Sequence, residues 1–539
     1  MKRLLTPLFV CMFLSIVLLR VVISPSKPYE RGSLQLRSPS WDLERPMPLP
    51  ARTEDLQGEG TCCNKNSRHL PLSDMKETAD DQKNETRSIN SGACTSSTED
   101  TIFQEAKDYP GLRLQLPADQ IVQNARVLIL SLHGGSAKDT AMQFFTAGVR
   151  MENIACLVWM WYPQVMDTAP CVRDKSLDVL VPVISNVSGW PMDIDPPDDT
   201  WVDSFAEVAS PLVADYDILI ADFPSVLSLL FDRVAPHKVI VRPTHRMDHQ
   251  AKHSGDFGTT YARQNLLRLY RNAPVVLAGS EYDWWYIRYY SCRRAGRAYL
   301  SSPTHYFESI GANMLTDQSS GFILWGGSNQ EGSESIMKYF DQIRDLVRKR
   351  NASEALKVLL KEKPKGFQHA SEFASEQGVI YFPYSMPSCA FHELYSSGVP
   401  IIAPSLKLIL AEFSEGRGYP HKVAGNSACG KPSFSVEGPS DVLCCGQGED
   451  DPPCLDPNSC DEEALKYWVT LGDLYTTPNI TYFDSADDAL RIMEEWTANP
   501  RLRHEIASAM RRHVHETILR NGKDMQEAIR QISCASGQD

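Results

Sequence analysis

Short apolar runs recur along the chain, each closed by a turn and followed by residues at helical spacing. The first, 127–132 (VLILSL), ends in His133-Gly134-Gly135, and a helix is expected from about Ser136. Next come 218–221 with a helix over 225–231, then 238–241, then 275–278, after which Ser280 and Asp283 have capping-box spacing. Residues 322–325 end at Gly326-Gly327, and Ile336, Phe340, Ile343 and Val347 then repeat at the interval of one helix face. Arg348, Lys349 and Arg350 suit the C-terminus of that helix. Residues 379–382 and 401–403 are two more strands, and a short helix is expected at 407–413. Two helices close the chain: one in "SADDALRIMEEW", capped by Ser485 with Asp488, and one from about Pro500 to Leu519, stopping near Gly522. Strands alternating with helices predict an α/β fold with parallel sheets. Functional residues in such sheets lie past the C-terminal strand ends. That rule groups His133, Asp222 and Thr244-His245-Arg246 on one rim.

Ahead of this pattern the chain reads differently. Lys2 and Arg3 precede an apolar run over 4–23 that contains only Arg20 as a charge. The run has the length needed to cross a bilayer, and the flanking charges favour a cytoplasmic N-terminus. No small-x-small cleavage site follows, so residues 1–24 are expected to be a signal anchor; a cleaved signal is the alternative. Residues 25–118, rich in Ser, Pro and charge, are expected to form a stem. The rest of the chain would then be lumenal. Sequons at Asn84, Asn186, Asn351 and Asn479 fit that placement. There are 14 cysteines, one of them, Cys11, in the apolar run. In an oxidising lumen the other 13 leave at least one thiol free or intermolecular, so a disulfide-linked dimer is an expectation. The Cys-rich insert 425–465 lacks a paired C-x-x-C, so disulfides are preferred there over zinc.

The chain of 539 residues has room for two or three domains. Its net charge of −14 argues against a nucleic-acid partner, which would need a basic face, while leaving room for a local anion pocket.

The stretch "FPYSMPSCAFHELYSSGVP", 382–400, carries the chemistry. Cys389 with His392 offers a nucleophile and base, and Cys389, His392 and Glu393 offer metal ligands, but neither set has a second cluster to complete it. A third reading is a ligand pocket. A strand ends at Phe382-Pro383, small residues follow, and a helix starts around Ala390 with its N–H groups directed at a cleft. Such a helix start suits a phosphate, and Glu393 suits a pair of ribose hydroxyls. An ordinary strand–helix–strand crossover with a solvated Glu is the alternative.

The segment "FHELYSSGVPIIAPS" resembles the donor site of GT-B glycosyltransferases, which carry a Glu with Gly-x-Pro five and seven residues later. Here these are Glu393, Gly398 and Pro400, and the turn at Gly326, Gly327 and Ser328 resembles their first donor-domain loop. Ser385 stands where many retaining members have a second Glu, so only Glu393 and the backbone of Ser388, Cys389 and Ala390 are carried over as donor ligands.

The resemblance implies two Rossmann-like domains facing a cleft: 119–315 on the acceptor side and 316–484, with the insert, on the donor side, followed by C-terminal helices over 485–539. It further implies a Golgi-type, single-pass membrane glycosyltransferase, taking a nucleotide-sugar donor and a glycan or glycoconjugate acceptor. No cofactor and no divalent metal are expected. Lys363, Lys365 and Arg246 are candidate phosphate cations, and His245, Asp248 and His133 candidate bases. Two alternatives stand beside this reading: a non-catalytic glycan- or nucleotide-binding relative, and a metal-dependent GT-A-like enzyme using Asp193 and Asp195 of "MDIDPPDD". A sulfotransferase is disfavoured, because its strand, phosphate loop and helix are not found early in the globular part.

Overall fold

Two parallel sheets carry the fold. The first has the order β2-β1-β3-β4-β5-β6, with β1 at Val127–His133, β2 at Ile154–Trp161, β3 at Ile218–Phe223, β4 at Val239–Val241, β5 at Val275–Ala278 and β6 at Gly296–Arg297. The second has the order β11-β10-β9-β7-β8, with β7 at Phe322–Gly326, β8 at Leu360–Glu362, β9 at Gly378–Phe382, β10 at Ile401–Pro404 and β11 at Thr481–Phe483. The computed structural model describes residues 115–161, 169–185, 199–244, 261–304, 306, 321–326, 333–350, 360–362, 376–383, 388–414, 444–446, 451–457, 459 and 461–537. All of them fall within one unit, 62–539. The expected anchor and stem lie outside these residues; among the described residues, no helix is long and apolar enough to cross a membrane.

Continuous apolar strands make sense once both faces are covered. Leu128, Leu130 and Leu132 enter one core cluster, while Val127 and Ile129 enter the other. This is the period-two alternation of a strand buried on both sides. Each such fully buried aliphatic side chain contributes about 2 kcal/mol.

The strand orders locate two switch points. In the first sheet the chain runs outward from β1 in both directions, so the reversal lies between β1 and β3. In the second it lies between β7 and β9. Loops leave opposite ways at such points and open a crevice at the strand C-termini.

The helices that frame these strand ends are α1, Gln120–Asn124; α2, Gly134–Ala147; α3, Glu281–Ser291; α4, Cys389–Ser396; α5, Glu462–Thr470; and α6, Pro500–Ala535. The last corrects the sequence expectation of a stop near Gly522. That glycine lies inside the helix, where a β-carbon would come within 2.9 Å of Leu116 Cδ1 and 3.0 Å of Thr146 Cγ2. Gly522 is therefore a packing site, where the helix closes on the first domain. Gln526 donates to Ala147 O (2.7 Å) and Pro117 O (3.0 Å), and Arg530 pairs with Asp119 (3.0 Å).

The described part of the Cys-rich insert also reaches the first domain, although its sequence position groups it with the second. Cys444 is disulfide-bonded to Cys292 at the end of α3, and Cys445 to Cys454. Arg288 meets Asp451 at 2.6 Å, and Trp468 of α5 packs on Tyr282, Tyr286 and Tyr289.

Candidate functional site

The end of β1 runs straight into α2. His133 is the last strand residue and the N-cap of the helix, its Nδ1 accepting the Ser136 N–H at 3.3 Å. The helix thus begins at Gly134, two residues before its expected start. An Nδ1 that accepts leaves the proton of the neutral ring on Nε2. Burial holds the imidazole neutral, lowering its pKa to about 4. In this state His133 is a hydrogen-bond donor through Nε2, whereas its sequence position suggested a base. The base role would require the ring to release Ser136.

At the end of β3, Asp222 is fully buried. Its Oδ2 accepts from Ser136 Oγ (3.0 Å) and Thr140 Oγ1 (2.9 Å), while Oδ1 has no hydrogen-bond partner. Burial raises its pKa, against the opposing pull of Ser131, Arg242, Thr140 and Ser136. Thr244 Oγ1 donates to the Asp222 carbonyl at 2.9 Å and is the last described residue of that rim. His245, Arg246 and Asp248 lie outside the described residues, as do Asp193 and Asp195.

On the second sheet, α4 follows β9. Ser388 caps it, Oγ accepting from Phe391 N at 3.3 Å and meeting Tyr381 Oη at 2.9 Å. Asp473, which is 85 residues away in sequence, accepts the Ser388 N–H at 3.0 Å and lies 2.9 Å from His392 Nε2. Of the three amides expected to face a phosphate, that of Ser388 is therefore committed. Cys389 and Ala390 occupy the first turn, where N–H groups have no intrahelical acceptor. Gly326 ends β7; Gly327, Lys363, Lys365 and Ser385 lie outside the described residues.

The structure brings the two strand ends together. A β-carbon built on Gly135 would stand 3.0 Å from His133 Cε1 and 3.6 Å from Glu393 Oε1. A side chain there would crowd the His133 ring and stand in ordinary van der Waals contact with the Glu393 carboxylate. Two motifs more than 250 positions apart, the His-Gly-Gly turn and the Glu of α4, thus face each other.

Cys389 is a free cysteine at this junction. Burial pushes its thiol up, and Glu393, Asp139, Asp222 and Asp473 push it further. A thiolate nucleophile is therefore disfavoured. Among the described residues, no group of three or more His, Cys, Asp or Glu side chains could hold a metal ion, so the set Cys389, His392 and Glu393 does not form one.

The chain is similar to MurG of Acinetobacter baumannii (10% identity, TM-score 0.32, 73% of this chain and 98% of that one). It is likewise similar to the glycotransferase of kitacinnamycin (10% identity, TM-score 0.33, 76% and 99%). No protein-family model matches the chain, and no curated protein does. Both likenesses are remote, so the fold is read from the strand orders above. Two parallel α/β sheets, with a last helix returning to the first, fit the two-domain arrangement that the sequence's GT-B resemblance implies.

Proposed function

We propose that the protein is a glycosyltransferase that moves a sugar from a nucleotide-sugar donor to a glycan or glycoconjugate acceptor. The observation that carries this reading is the meeting of the His133–Gly135 turn with Glu393, at the switch points of two parallel sheets. The donor diphosphate sits against the Cys389 and Ala390 N–H groups, and Glu393 accepts from the ribose hydroxyls. Charge that develops on the leaving diphosphate is met by preorganised donors, the α4 start and the His133 Nε2–H. Because these donors meet the charge, activity is expected to persist in a chelator. The test is a panel of UDP-, GDP- and CMP-sugars with the purified full chain. Turnover or donor hydrolysis with one nucleotide class is expected, and no binding and no turnover with any would overturn the reading.

The catalytic part is assigned to the lumen of the secretory pathway. Disulfides Cys156–Cys171, Cys292–Cys444 and Cys445–Cys454 support this, as does Asn479, an exposed sequon residue in a left-handed turn (φ 63°). In a eukaryotic secretory host, Asn479→Gln should increase mobility on a gel by one glycan. Unchanged mobility, with every cysteine open to alkylation, would contradict the compartment.

A further inference from the structure

We propose that Asp139 and Arg242 are positioning residues that set the His133 turn against Glu393, through one buried chain of hydrogen bonds crossing between the domains. The proposal rests on the transferase reading above.

The chain of bonds starts at the turn. The Ser136 N–H donates to His133 Nδ1, and Ser136 Oγ donates to Asp222 Oδ2. That same oxygen accepts from Thr140 Oγ1, which in turn accepts from Arg242 Nη1 at 2.7 Å. Arg242 Nη2 pairs with Asp139 Oδ2 at 3.0 Å, with side-chain exposures of 0% and 4%. Asp139 Oδ1 accepts the backbone N–H groups of Ser301 (3.3 Å) and Ser302 (2.8 Å). Ser396 of α4 donates to Ser301 O at 2.6 Å, one turn beyond Glu393. Asp139 and Arg242 thus stand midway between the two groups that meet at the site.

Three further features distinguish this from an ordinary staple. Residues 298–302 lead out of the first sheet's last strand and are held from three sides. Arg242 donates to Ala298 O, and Gln143 and Asn521 donate to Tyr299 O at 3.0 and 2.6 Å. Ser302 has φ 40°, a conformation that a serine adopts only when its surroundings impose it. Asp139 imposes it by accepting its N–H. Finally, Asp139, Thr140, Arg242, Ser301 and Ser396 are buried, where water offers no alternative partner. A network of this kind has one satisfied geometry, so shifting one end moves the other. Ion pairs buried this deeply add little net stability. Here the pair fixes a register.

The test is a double-mutant cycle between Thr140→Ala and Ser396→Ala, whose side chains lie on either side of the Asp139–Arg242 pair along the chain of bonds. Each is expected to lower kcat roughly tenfold with the donor KM unchanged. The double variant should lose no more than either single one, and Thr140→Ser should keep the wild-type kcat. Losses that multiply, or a single variant with intact kcat, would overturn the proposal. If the wild-type chain uses no UDP-, GDP- or CMP-sugar, the transferase reading has failed. The network is then read by amide hydrogen exchange on the same variants. Ser396→Ala should speed exchange over 133–140, in the other domain. A change confined to 388–404 would overturn the positioning role.

Discussion

At the end of β1 the site is backed by buried charge: Asp139 and Arg242 lie 3.0 Å apart with almost no exposure, and Asp222 is buried beside them. At the start of α4 it is backed by caps: the Ser388 hydroxyl, the Asp473 carboxylate and the Tyr381 hydroxyl. The first arrangement tolerates one geometry, because an unpaired charge in that place is expensive. The second satisfies the helix start locally, and the proposed donor would meet the Cys389 and Ala390 amides beside it. On the proposed reading, one side of the site holds a position and the other receives an anion.

The largest break in this comparison is Arg242→Met. It strands Asp139 without its cation and should cost about 3–5 kcal/mol, read as a loss of denaturation free energy. Next comes acidity. The His133 pKa is lowered from 6.5 to about 4, so the unfolded chain takes up a proton that the folded chain refuses. Its contribution is full above pH 6.5 and falls by up to about 3 kcal/mol as pH drops towards 4. His133→Gln should flatten that part of the stability–pH curve. An unchanged slope would separate the burial of His133 from acid sensitivity. The smallest effect is expected in the other domain. Ser388→Ala removes one cap and should cost about 1 kcal/mol, measured by thermal unfolding.

How much of the fold and site is legible in the sequence follows the range of the interactions. The strand at β1 is readable, because an apolar run followed by glycines is a local signal, although the two glycines expected to turn instead open α2. So are the caps at Ser280 and Ser485, whose hydroxyls accept the expected N–H groups at 3.0 and 3.2 Å. β2 escapes prediction although Ile154–Trp161 is strongly apolar, since no glycine turn marks its end. Gly522 reads as a helix stop because glycine is a frequent stop signal. Its actual reason, the approach of Leu116 and Thr146, depends on residues more than 370 positions away. The same applies to Asp473 on Ser388 and to Arg242 on Asp139, which no spacing rule connects. Glu393 is legible through its helix and the Gly-x-Pro that follows. Its neighbour across the junction, Gly135, is not.

Whether Glu393 holds the donor decides the function. Binding of UDP-, GDP- and CMP-sugars to the full chain and to Glu393→Ala, measured by calorimetry, tests it most directly. One nucleotide class should bind the wild-type chain, and Glu393→Ala should weaken it roughly tenfold or more through the lost hydroxyl contacts. Equal affinity in the two proteins would contradict the placement of the donor at α4.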